Sequence, residues 1–167
     1  MPRATEDSAA RLIAVLTERG LRVAVAESLT GGLVVAELTS VPGASVVVAG
    51  GVVAYDTAVK RSVLGVDAEL LAAEGAVHPE VARQMADRVR VALAVDGRAA
   101  ELGIATTGVA GPTDQDGRPV GTVFVGLAFD GRVEAIELPL LQGTRAEIRA
   151  ATVQAAIEAA LVRIQRA

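Results

Sequence analysis

Val23-Ala24-Val25-Ala26-Glu27-Ser28-Leu29-Thr30-Gly31-Gly32-Leu33 is the stretch on which the reading of the fold turns. The apolar run Val23 to Ala26 predicts a buried strand, and Leu33, Ala36 and Glu37 onward predict a helix, so a strand passes directly into a helix as in α/β proteins. Ser28 then lies at a strand-to-helix turn, beside free backbone N–H groups that could hold an anion or a developing oxyanion. Gly31 and Gly32 would let a ligand approach the backbone with no Cβ in the way. The local pattern also admits a plainer role, in which Ser28 caps the helix. The stretch is not the G-x-S-x-G nucleophile elbow, so the pattern alone does not make Ser28 reactive.

Working outward, 167 residues with 51% hydrophobic content fit a single globular domain over 1–167 with a sizeable core. A net charge of -4 and 2% aromatic residues argue against a nucleic-acid surface and leave room for a nucleotide-sized ligand. The chain has no cysteine and one histidine, which excludes disulfides, thiolate catalysis and a zinc site built on Cys or on several His. A carboxylate magnesium site stays open on composition. The N-terminal residues are too acidic for a signal peptide and no apolar run reaches membrane-spanning length, so a cytoplasmic protein is expected. A mean hydropathy of +0.44 suggests apolar surface buried against another subunit, in a homodimer or higher homo-oligomer.

In chain order, Asp7 or Ser8 is expected to cap a first helix that Gly20 ends. Val46 to Ala54 reads as an interior strand, apolar on both sides, and Gly50 and Gly51 within it suggest a bulge, a close approach or crowding by a helix. Asp56 should cap a helix containing Val59, Lys60, Val63 and Leu64. Lys60 is the only lysine, set near that helix's start against the macrodipole; a desolvated lysine can act as a base, whereas arginine cannot. His78-Pro79-Glu80 reads as N-cap, N1 and first-turn acid, which makes His78 a cap rather than a base. Gly103 to Thr107 is the next strand, ending in Thr106 to Pro112, a turn of small residues able to cradle phosphate. Thr113 to Pro119 is a polar loop, either a flexible lid or a connection. Val120 to Phe129 and Arg132 to Leu138 are strands joined by Asp130-Gly131, a two-residue hairpin signal that makes the sheet mixed. Thr144 to Glu147 is a capping box, and Arg145 and Arg149 extend the apolar stripe of the last helix backward, facing inward. Positive charge there either meets an anion or snorkels from the core edge.

The ordered set Ser28 to Gly32, G-x-V-x-Y-x-x-x-x-K at Gly51 to Lys60, Leu64 to Val66, Gly75 to Val77, Thr107 to Pro112, Arg118 to Val123 and G-x-R-x-x-x-R at Gly143 to Arg149 resembles the CinA C-terminal family, the nicotinamide-nucleotide amidases. That resemblance covers nearly the whole chain. It implies a three-layer α/β/α sandwich with a mixed sheet, in the stand-alone form, and hydrolysis of nicotinamide mononucleotide to nicotinic acid mononucleotide and ammonia with no metal or other cofactor. It also implies Ser28 as nucleophile, Lys60 as its base and Tyr55 as a hydrogen-bonding or relay group. Leu29, Thr30, Gly31, Gly32, Thr107, Gly108 and Gly111 would line the ligand pocket, with Arg145 and Arg149 toward the anionic part of the nucleotide. Two positions depart from the family pattern: His78 stands in place of Ser, and Thr113-Asp114 in place of Gly-Gly. A non-catalytic nucleotide-binding module, or an interaction protein linked to competence or damage, is the alternative.

Overall fold

Strand β1 (Val23–Glu27) turns Val23 and Val25 to one face and Ala24 and Ala26 to the other, and this alternation divides the molecule into layers. The structure is a computed structural model describing residues 4–167. Around β1 run α1 (Ala4–Arg19), α2 (Leu33–Thr39), β2 (Val48–Val53), α3 (Thr57–Ser62), α4 (Ala68–Glu74), α5 (Pro79–Ala92), β3 (Leu102–Gly108), β4 (Val123–Phe129), β5 (Arg132–Glu137) and α6 (Arg145–Gln165). The five strands form one sheet in the order β2-β1-β3-β4-β5. β1 is parallel to β2 and β3, while β3, β4 and β5 pair antiparallel, so the sheet is mixed.

On the valine face, α1, α2 and α6 bury Leu12, Leu16, Leu38, Ile157 and Ile164 against Val25, Ile104 and Leu127. The opposite face is floored by Ala24, Ala26, Ala105 and Ala128 and covered by α5 through Val81, Met85, Ala86 and Val89. There the helix lies almost on the sheet: a Cβ at Gly103 or Gly126 would collide with the carbonyl oxygens of Ala86 and Ala82. Helices on both faces of a mixed sheet make the α/β/α sandwich. No helix among the described residues is long and apolar enough to cross a membrane.

Several local expectations hold. Gly20 ends α1 in a left-handed conformation, Asp56 caps α3, and Thr144 and Glu147 form the capping box of α6. Asp130 and Gly131 both take positive φ, as a tight two-residue hairpin with right-handed strand twist demands. Three readings are corrected. α1 is already helical at Ala4, so Asp7 and Ser8 lie within it and do not cap it. β2 is an edge strand, not an interior one, and the crowding at Gly51 comes from α2, since a Cβ there would run into Val35. β4 begins at Val123 because Val120 to Thr122 are held in a turn, with Thr122 N–H donating to Pro119 O. The polar loop 113–119, read as a lid or a connection, contains a small hairpin, in which Gln115 and Arg118 exchange backbone hydrogen bonds around Asp116-Gly117, both at positive φ.

Candidate active site

The chain leaves β1 for β2 on one side and later places β3 on the other, with α2 and α5 on opposite faces. This makes the C-terminal end of β1 the point where connections diverge, which is where open α/β sheets leave a crevice. Ser28 follows β1 directly, its N–H donating to Thr106 O across to β3. A cleft of about 260 Å³ opens there, lined by Ser28, Leu29, Tyr55, Ala76, Val77, Thr107 to Gly111, Thr113 to Gln115 and Arg145.

Ser28 does not cap α2. Gly32 occupies the cap position without a side-chain bond, and the Ser28 hydroxyl instead meets Lys60, whose Nζ donates to Ser28 Oγ at 2.9 Å, to Ala54 O at 2.7 Å and to Tyr55 O at 3.2 Å. Lys60 is 1% exposed, among the largest fully enclosed side chains of the protein. Burial pushes its ammonium down from about 10.5 to about 8, against the opposing pull of the Asp56 and Asp116 carboxylates. The macrodipole contributes differently from the sequence expectation. α3 is so short that Lys60 sits in its last turn, where positive charge is favoured, and the depression comes from desolvation alone.

The helix start expected to offer free N–H groups is occupied. Glu27, fully buried, accepts from Gly32 N and Val34 N through Oε2 and from Val35 N through Oε1. Nothing in the sequence reading singled out Glu27, although a carboxylate ending an apolar strand just before a helix start was the available signal. Donors survive one step earlier. Gly31 N–H closes a turn onto Ser28 O, and within it the N–H groups of Leu29 and Thr30 find no acceptor among the described residues.

The two arginines part ways. Arg145 is exposed at the rim, its Nη1 donating to Gly111 O at 2.6 Å and its Nη2 to the Tyr55 hydroxyl at 2.9 Å. Further guanidinium N–H groups are left over for a ligand. Arg149 lies outside the cleft lining and spends its guanidinium on Leu29 O at 2.9 Å and Thr30 O at 3.0 Å. Thr30, Gly31 and Gly32 likewise do not line the cleft; the Thr30 hydroxyl is buried against that of Thr106 at 2.8 Å. Tyr55 is 60% exposed and touches Lys60 only through its backbone carbonyl. Thr107 donates its hydroxyl to Ala76 O at 2.7 Å, while His78 caps α5, its Nδ1 accepting from Glu80 N–H. Asp114, in the pair that departs from the family pattern, lines the cleft and accepts from Val120 N–H at 3.0 Å. The neighbouring Asp116 latches the loop to Ala76 N–H, a contact that Gly75 permits because a Cβ there would clash with the Asp116 carboxylate.

A lysine enclosed behind a serine hydroxyl, at the floor of a cleft at the strand ends, defines the class: an α/β/α protein with a serine–lysine pair. The CinA C-terminal domain model matches residues 5–164, and the chain belongs to that family. It is 49% identical over 149 residues to a CinA-like protein of Frankia casuarinae, covering 88% of this chain and 33% of that one. A CinA-like protein of Anaeromyxobacter sp. is 51% identical over 147 residues, covering 87% and 34%. The chain thus spans about a third of the length of these curated relatives. Among solved structures, a CinA superfamily protein from Klebsiella pneumoniae matches with a TM-score of 0.88 at 32% identity, covering 98% of this chain and 99% of that one. The competence/damage inducible protein CihA from Agrobacterium tumefaciens matches with a TM-score of 0.87 at 38% identity, over 99% and 98%.

Proposed function

We propose that the protein is an amidohydrolase that converts nicotinamide mononucleotide to nicotinic acid mononucleotide and ammonia, with Ser28 as nucleophile and Lys60 as base. The observation that carries the reading is the buried Lys60–Ser28 hydrogen bond at the cleft floor. In its neutral form Lys60 has two N–H groups and one lone pair. The carbonyls of Ala54 and Tyr55 take the N–H groups, which leaves the lone pair for the Ser28 hydroxyl. Ser28 Oγ attacks the carboxamide carbon while its proton passes to Lys60. The oxyanion meets the Leu29 N–H, the donor next to the nucleophile. Lys60 returns the proton to the departing nitrogen, ammonia leaves, and water activated by the same amine hydrolyses the ester on Ser28. Arg145 meets the nucleotide phosphate, with Tyr55 as the hydrogen-bonding group at the rim.

The test is direct. Incubation with nicotinamide mononucleotide should release ammonia, and Ser28→Ala should lower that release by about a thousandfold or more while the folded variant still binds nucleotide. Binding by the wild type with no ammonia would leave a non-catalytic nucleotide-binding module.

A further inference from the structure

We propose that Glu27 and Arg149 are positioning residues, a pair of opposite charges that brace the Ser28 turn from its two ends and aim its free N–H groups; this rests on the serine-amidase reading above. Both side chains direct their charge at backbone, and both at the same short segment. Glu27 holds the N–H groups of Gly32, Val34 and Val35, which ties the start of α2 to the last residue of β1. Arg149, reaching from the first turns of α6, holds Leu29 O and Thr30 O. A trans peptide keeps its C=O and N–H antiparallel. Pinning Leu29 O therefore sets the direction of the Thr30 N–H, as the bond from Gly31 N–H to Ser28 O sets that of Leu29. Gly31 makes room for this clamp: it sits at positive φ, and a Cβ on it would lie 3.3 Å from Arg149 Nη2. The planar guanidinium bridges two carbonyls at fixed spacing, which the point charge of a lysine cannot do. Arg149 is thereby separated from Arg145, which faces the cleft.

The test uses Arg149→Lys and Glu27→Gln in the full chain, with two readouts. One is kcat and KM for nicotinamide mononucleotide and for its phosphate-free riboside. The other needs no substrate: the rate at which a fluorophosphonate labels Ser28, read by intact mass, in which the Oγ–P bond forms, fluoride leaves and the proton passes to Lys60. Misdirected donors should lower kcat and the labelling rate together by about tenfold to a hundredfold, with KM nearly unchanged for both substrates. Melting temperature separates this from unfolding, and if Glu27→Gln does not fold, Arg149→Lys carries the test alone. Unchanged kcat and labelling, or a KM that rises for the nucleotide but not the riboside, would overturn the proposal. Slowed labelling in the variants, with no ammonia released even by the wild type, keeps the clamp and removes the amidase. If the wild type neither labels nor turns over, both readings fall.

Discussion

The two ends of the parallel strands each carry a cleft of nearly equal size, about 260 Å³ at the C-terminal end and about 270 Å³ at the N-terminal end, yet they differ in the groups at their floors. At the N-terminal end Glu101 is held by one backbone amide and one exposed arginine. Glu101 accepts from Arg22 N–H at 2.8 Å and pairs with Arg98 at 3.5 Å, and the Arg98 side chain is 78% exposed. At the C-terminal end Lys60 is enclosed with no carboxylate in hydrogen-bond contact and is turned toward a hydroxyl. Volume does not distinguish the two clefts. Desolvation of one amine does, because it moves a proton equilibrium toward neutral pH.

The sharpest way to break this contrast is Lys60→Arg, which keeps the charge but gives up the base. Turnover should fall by roughly a hundredfold to ten-thousandfold, the range for a lost general base, and wild-type turnover in the variant would reduce Lys60 to an anchor. Under the proposed mechanism the working form in the wild type is the neutral amine. Activity should therefore be full well above pH 8 and decline as pH falls through about 8, where burial has brought the ammonium. A pH profile of kcat measures this limb, and a flat profile from pH 6 to 9 would contradict it. Next in size is Arg145→Ala, which should raise KM for the nucleotide by about tenfold to a hundredfold, as for loss of a charge-assisted hydrogen bond, and that for the riboside far less. Equal rises would remove the phosphate contact. The smallest effect belongs to the other end: Glu101→Gln should leave turnover within about twofold and cost about 1 kcal/mol of stability or less by denaturant titration. A large loss of activity there would show that the two ends are coupled.

Much of this architecture was legible locally, for reasons visible residue by residue. Asp56, His78 and Thr144 announce helix starts because each polar side chain reaches its own backbone, and Asp130-Gly131 announces a hairpin because both positions need positive φ. The edge position of β2 was not legible. Apolar composition reports what covers the faces of a strand, while pairing occurs along its edges, so Val48 to Val53 reads the same at the rim of the sheet as at its centre.

By itself the sequence determined the α/β alternation, the mixed sheet, the serine at a strand-to-helix turn and a solitary lysine, all properties written in composition and short-range period. Tertiary structure decided what those groups do. Helical spacing put Arg145 and Arg149 on one stripe, but only packing sent the first to the Tyr55 hydroxyl and the second to the backbone of the Ser28 turn. Lys60 is 32 residues from Ser28, and neither its depressed ammonium nor its aim could be read from its neighbours. Desolvation is a property of the space that distant segments enclose, and that space exists only when the chain is folded.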